Sequence, residues 1–376
     1  MKNKGNVMTS RTSHGRDRCI KGLTRQRLLL SGITMGGIAA LGAILGSFPA
    51  LNRAEAETKT LTVQTGTGEW GNCLKAAYFD PFEKATGIEV KTTPENLDNS
   101  KFPLQVKTGH YQADVQSTDS MFALSKDGSD YLEPIDYTSI KKDEIIPGFA
   151  FDNAVPLDTW TIVLSYNSDK TGGKTPKSWA DFFDLKKFPG KRGVNNLAQP
   201  LITMALLADG VPAKNIVPFD YDRAFKKLDS IKSELIFFDS GSQVQDLLTS
   251  GEASLSMAFV NRADAARASG APVGMVWNGA LIGMDFWAVP KGNPNASVAM
   301  QFLSFVLSKE INGRLTDCWA VGPVNTKAGV NPKWKDIYPS SHLDEPQVFL
   351  DDPDAVKWLS VHNNEVQERF KLWKSE

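Results

Sequence analysis

Apolar and polar positions alternate over Thr60–Gln64 (TLTVQ), a β-branched run that predicts a strand. The glycine-rich stretch Thr65–Gly71 follows. Leu74, Ala77, Tyr78 and Phe82 then recur at helical spacing over Asn72–Ala85. Pro81 falls inside that helix and should bend or divide it, and Gly87 should end it. Ile88–Thr92 returns to a strand pattern. Strand, loop, helix and strand in this order make a βαβ unit, which predicts a parallel sheet and an α/β class.

The alternation of periods continues along the chain. Strands are expected at Ala113–Gln116, Trp160–Tyr166, Glu234–Phe238, Ser254–Phe259, Val273–Trp277 and Asp285–Pro290. Helices are expected within Ser120–Lys126, Pro176–Phe183, Leu201–Leu207, Tyr221–Lys232, Ser242–Gly251, Asn261–Ser269, Ala296–Leu307, Lys309–Cys318 and Asp354–Trp373. Roughly 320 residues of this pattern exceed one core of ordinary size. Two lobes facing each other across a cleft are the natural division, with the ligand beyond the carboxyl ends of the strands.

The first 56 residues break the pattern. Nine basic residues stand there against Asp17 and Glu55, and Leu28–Leu51 carries no charge before Ala54-Glu55-Ala56. A basic segment, an apolar run and an A-x-A site describe a cleaved secretory signal. An uncleaved anchor is the alternative, although Gly32, Gly36, Gly37, Gly42 and Gly46 dilute the run. Thr24–Leu28 (TRQRL) looks like a degenerate twin-arginine signal without an adjacent Arg pair, so Sec and Tat export both stay open. Export would leave Cys73 and Cys318 in an oxidising compartment, as a disulfide or as two buried thiols.

Composition narrows the classes. The whole chain is 41% hydrophobic and 23% charged with a formal charge of −1, which excludes a mainly disordered chain. A single long uncharged run excludes a polytopic membrane protein. Beyond residue 56 there are 33 basic and 41 acidic residues, a formal −8, so no basic excess points to nucleic acid. G-x-S-x-G, GxxxxGK[ST] and H-E-x-x-H are all missing, and His110, His342 and His362 are far apart in sequence. No metal and no cofactor is expected. Gly66-Thr67-Gly68-Glu69-Trp70-Gly71 has GxGxxG spacing, but bulky Trp70 argues against a close pyrophosphate.

Several phrases carry a family resemblance. Phe79–Val90 (FDPFEKATGIEV) is similar to the opening of bacterial extracellular solute-binding proteins. Ser165-Tyr166-Asn167 followed by Pro176–Phe182 (PKSWADF), Phe188–Gly193 (FPGKRG), Asp285–Gly292 (DFWAVPKG) and Gly322–Asn325 (GPVN) match further segments in the right order. The chain most resembles the spermidine/putrescine-binding (polyamine) family of ABC importers. That resemblance implies a type II periplasmic binding protein: two α/β lobes, a hinge and an interlobe cleft. It implies lobe 1 from 57–160 and 287–328, and lobe 2 from 161–286 and 329–376. The crossings are expected near Asp158–Leu164 and Asp285–Ala288. A monomer working with an inner-membrane permease from the periplasm is implied, with no catalysis.

The same resemblance places Trp70, Asp119, Phe259 and Asp285 at ligand positions. Polyamine receptors hold ammonium groups with carboxylates and pack the methylenes between aromatic rings. The chain departs from that pattern: Gly283 stands where a Trp is expected, Met121 where an aromatic is, and Asn195, Asn196 and Gln199 where an acidic pair is. Arg262 opens a helix at the end of a strand, where its charge opposes the helix dipole unless a ligand uses it. Trp70, Phe259 and Trp287 are therefore expected as apolar walls, Asp285 with Asp119 as the amine site and Arg262 as a carboxylate site. The expected ligand is putrescine, spermidine or a related small amine, with a zwitterionic ω-amino acid such as 4-aminobutyrate as the alternative. An exported hydrolase using two carboxylates and an iron-binding protein are the rival classes. The first lacks a visible nucleophile–base pair and the second an adjacent Tyr pair.

Overall fold

In the computed structural model, residues 60–66, 68–342 and 344–376 are described. The expected signal segment, residues 1–56, lies outside them. Among the described residues no helix is long and apolar enough to cross a membrane.

Strands β1 (Thr60–Thr65) and β2 (Glu89–Pro94) pair in parallel, as the opening βαβ pattern requires. The remaining strands are β3 (Gln116–Thr118), β4 (Val155–Asn167), β5 (Lys191–Asn195), β6 (Leu235–Phe238), β7 (Ala253–Phe259), β8 (Val273–Ala288), β9 (Gly322–Pro323) and β10 (Gln347–Phe349). They form one mixed sheet in the order β10-β8-β4-β7-β5-β6, with β3 on β8 and β9 on β4.

The two longest strands, β4 and β8, run antiparallel at the centre and belong to two cores. Val155 and Leu157 of β4 and Trp287 of β8 pack with Leu61, Phe82 and Phe302 in the first core. Ile162 and Leu164 of β4 and Leu281 of β8 pack with Trp179, Leu201 and Phe370 in the second. Each strand passes from one core to the other within a few residues, between Leu157 and Ile162 on β4 and between Leu281 and Trp287 on β8.

Three local expectations change. The helix at Asn72–Ala85 starts earlier, as Gly68–Leu74, widens into a π-helical turn at Lys75–Phe79 and resumes as Asp80–Thr86. Pro81 has no N–H to give the preceding turn, so the distortion precedes the proline. The strands expected at Val273–Trp277 and Asp285–Pro290 are one strand, β8. Asn278-Gly279 lies in a bulge of that strand, where the β8 residues paired with Ile162 and Leu164 jump from Leu281 to Val276. Lys309–Cys318 is not an α-helix but a tighter 3₁₀ turn at Asn312–Asp317. Cys73 and Cys318 form a disulfide with Cα atoms 5.8 Å apart.

Candidate functional site

Where β4 and β8 change core, the sheet face is left open and a cavity of about 290 Å³ lies over it. Asp158 of β4 and Asp285 of β8 are directly opposed in register on its floor. Asp158 is 1% exposed, and neither carboxylate oxygen has a hydrogen-bond partner among the described residues. Burial holds its carboxyl well above the usual range, and the nearby charge of Asp285 adds to that. Asp285 opens into the cavity, where water reaches it, but the enclosing protein pushes its carboxyl up to about 6; the Trp160 indole partly offsets the rise. An ion left without a partner in such a place is costly, so the pair is set to receive a cation or to hold a proton.

The next pair along the strands is Trp160 and Gly283. A Cβ on Gly283 would lie 2.0 Å from Trp160 Cζ2, so the indole lies against bare β8 backbone. The aromatic missing from position 283 is thus replaced, in space, by one from the adjacent strand. Trp160 meets Phe259 edge-on at 5.8 Å, and both line the cavity. Trp160 and Phe259 pack on the second core.

The opposite wall comes from the first core. Trp70 and Trp319 pack against it and meet at 5.8 Å between ring centroids with their planes tilted by 56°. Gly66 carries no Cβ where the Trp70 ring comes closest, which accounts for one glycine of the GxGxxG-like spacing by packing alone. Arg262 reaches over Trp319, with its guanidinium carbon 5.9 Å from the ring centroid. It stands in the first turn of the helix Val260–Ala268, which begins at the carboxyl end of β7. Its stem rests on Gly241, the first residue of the helix Gly241–Ser250; a Cβ there would come within 2.5 Å of Nε. The guanidinium forms no hydrogen bond and no ion pair among the described residues. The cavity therefore has two carboxylates on its floor, aromatic rings on both sides and an unpaired guanidinium at its rim.

A family model described as bacterial extracellular solute-binding protein matches residues 77–339. The chain belongs to this family. A gamma-aminobutyric acid-binding protein of Pseudomonas aeruginosa is 30% identical over 330 residues, covering 85% of this chain and 92% of that protein. The spermidine/putrescine-binding periplasmic protein of Escherichia coli K12 is 24% identical over 252 residues, covering 64% and 72%. The solved structure of the Atu4243 GABA receptor is 32% identical with a TM-score of 0.77, covering 84% of this chain and 98% of that one. The fold is accordingly a type II periplasmic binding protein, α/β, with two lobes.

Of the residues singled out from sequence, Trp70, Phe259, Arg262 and Asp285 meet at this cavity. Asp119 and Trp287 do not. Asp119 caps the short helix Ser120–Ala123, accepting from Phe122 N–H at 2.8 Å and from Asn99 Nδ2 at 2.6 Å, and faces a separate recess beside Met121. One of its carboxylate oxygens is taken by the backbone and the other by the Asn99 side chain. Trp287 is 1% exposed and packs edge-on to Tyr78 at 6.2 Å. It shares a face of β8 with Asp285 but lies ~7 Å further along the strand, already under the helices of the first core. Asp158, Trp160 and Trp319 were missed. Asp158 left one signal, a lone charge inside the apolar run of β4.

Proposed function

We propose that this chain is the periplasmic ligand-binding component of an ABC importer and that its ligand is a small zwitterionic ω-amino acid such as 4-aminobutyrate. The observation that carries this reading is the meeting in one cavity of opposite charges that form no ion pair among the described residues: Asp158 and Asp285 on the floor, Arg262 at the rim. An ammonium group fits the carboxylates, a carboxylate fits the guanidinium fork, and the methylenes fit between Trp160, Phe259 and the Trp70–Trp319 wall. The starts of the helices at Gly241 and Val260 add N-terminal dipoles on the Arg262 side. The names of two relatives, both GABA-binding, support the same ligand class.

A polyamine is the second reading, favoured by the carboxylate pair and by the more distant spermidine/putrescine-binding relative. Arg262 counts against it, because a second ammonium group would meet a positive charge. The lobe boundaries 57–160 with 287–328 and 161–286 with 329–376 belong to the proposal, supported by where β4 and β8 change core. Cleavage of the export segment near residue 56 belongs to it too.

Calorimetry on the chain from residue 57 tests the ligand. Saturable binding of 4-aminobutyrate, with putrescine and spermidine much weaker, is expected. Tighter binding of putrescine would transfer the assignment to the polyamine reading, and silence from all three would end both.

A further inference from the structure

The disulfide and the aromatic wall share two short segments. Cys73 lies one helical turn after Trp70 in Gly68–Leu74, and Cys318 immediately precedes Trp319. The segment around Trp319 is otherwise a 3₁₀ turn followed by the two-residue strand β9, a poor frame for a large ring. The disulfide joins this segment to the helix of Trp70, and the two indoles stand 5.8 Å apart beside it. Trp319 in turn carries Arg262, which belongs to the helix after β7. Cys73 is buried, whereas Cys318 is exposed, so a reductant can reach the bond.

We infer that the Cys73–Cys318 disulfide is a positioning element of the ligand site. It fixes the Trp70–Trp319 wall and, through Trp319, the place of the Arg262 guanidinium. The second core contains neither cysteine, and in the first Cys73 is one buried member among many, so losing the bond should lower stability while both cores still form. It frees two indoles that must then be ordered by the ligand, and ordering large side chains on binding weakens affinity. Oxidation state would therefore set affinity without setting the fold. The inference rests on the proposed ligand site.

The test compares the oxidised chain with Cys73→Ser/Cys318→Ser, both free of ligand and with 4-aminobutyrate. In the ligand-free arm, far-UV circular dichroism should be unchanged, near-UV tryptophan ellipticity should fall, and acrylamide should quench indole fluorescence more strongly. In the binding arm, affinity should drop about tenfold. On a Trp319→Ala background the same cysteine replacement should add little, because the ring it positions is gone. A lower melting temperature with unchanged near-UV signal and unchanged affinity would overturn the inference, leaving the bond a stabiliser only. Loss of the far-UV signal, in the double variant and in native protein reduced with dithiothreitol alike, would also overturn the inference, because the bond would then hold the fold itself. Absence of binding to the oxidised chain would count against the proposed ligand, while the ligand-free arm would still decide the role of the disulfide.

Discussion

Asp158 and Asp285 face each other in register on β4 and β8, at the point where both strands leave one core for the other. One carboxylate is buried without a hydrogen-bond partner among the described residues, and the other opens into the cavity above it. Two like charges this close in a shielded place cannot both ionise freely. Tyr78 lies below Asp158, and its hydroxyl is itself pushed up by burial and by that carboxylate. Asp351 lies near Asp285 on the outer side of β8, held by Ser120 and by the Met284 N–H, and its carboxyl is pushed up to about 6. The pair therefore has acid neighbours, and no cation among the described residues offsets it.

Protons and an ammonium ligand should compete for this pair. Affinity for 4-aminobutyrate should fall as pH drops through about 6, the value to which Asp285 is raised. Calorimetry near pH 6 in buffers of different ionisation enthalpy should show proton release on binding. In the ligand-free protein the sign reverses. A carboxyl with a raised folded pKa contributes stability that is complete below its unfolded value, about 4, and is lost as pH rises through about 6. Asp285→Asn should therefore flatten the stability–pH curve between about 4 and 6. An affinity independent of pH from 5 to 8 would refute the competition.

Arg262 is the residue on which the ligand class turns. Arg262→Ala should weaken 4-aminobutyrate about 100-fold, the loss expected for a charge-assisted pair, while leaving putrescine unweakened. Arg262→Lys should recover only part of the loss, since an ammonium cannot reproduce the guanidinium fork. Equal affinity of all three proteins for 4-aminobutyrate would remove Arg262 from the site.

Gly241→Ala separates packing from helix stability. The new Cβ would sit 2.5 Å from Arg262 Nε, so the side chain must swing away from its rest. Alanine at this first helical position also narrows the unfolded chain's freedom, which is worth about 0.4–1 kcal/mol where the backbone conformation suits it. Ligand affinity should thus fall several-fold while the melting temperature holds or rises slightly. Affinity and melting temperature measured on one preparation check both signs.

The α/β class and most of the order of elements were legible because period and length carry them, whereas the two crossings were expected only from the family resemblance. The floor of the cavity was not. Asp158 sits in a strand that reads as core, and only the three-dimensional meeting of β4 with β8 shows that its position falls at the junction between the two cores. Trp160 was hidden for a related reason: its position over Gly283 is a cross-strand fact. Trp287 erred in the opposite direction. It was expected as an apolar wall within the crossing Asp285–Ala288, and two residues along a strand from Asp285 were enough to carry it under the helices.

Trp287→Ala and Asp119→Ala turn that last distinction into a measurement. Trp287 is buried among Tyr78, Phe302 and the first core, so its truncation should cost about 3–5 kcal/mol in denaturant unfolding. Asp119 caps a four-residue helix, and its loss should cost about 1 kcal/mol. Neither side chain lines the cavity, so under conditions where each variant is folded, the affinity for 4-aminobutyrate should stay within about twofold of the parent. Asp285→Ala should do the reverse, abolishing most of the affinity while relieving a raised carboxyl and leaving the fold as stable or more so. A selective affinity loss in Asp119→Ala, with stability untouched, would return that residue to the ligand and require the cleft to extend to the recess beside Met121.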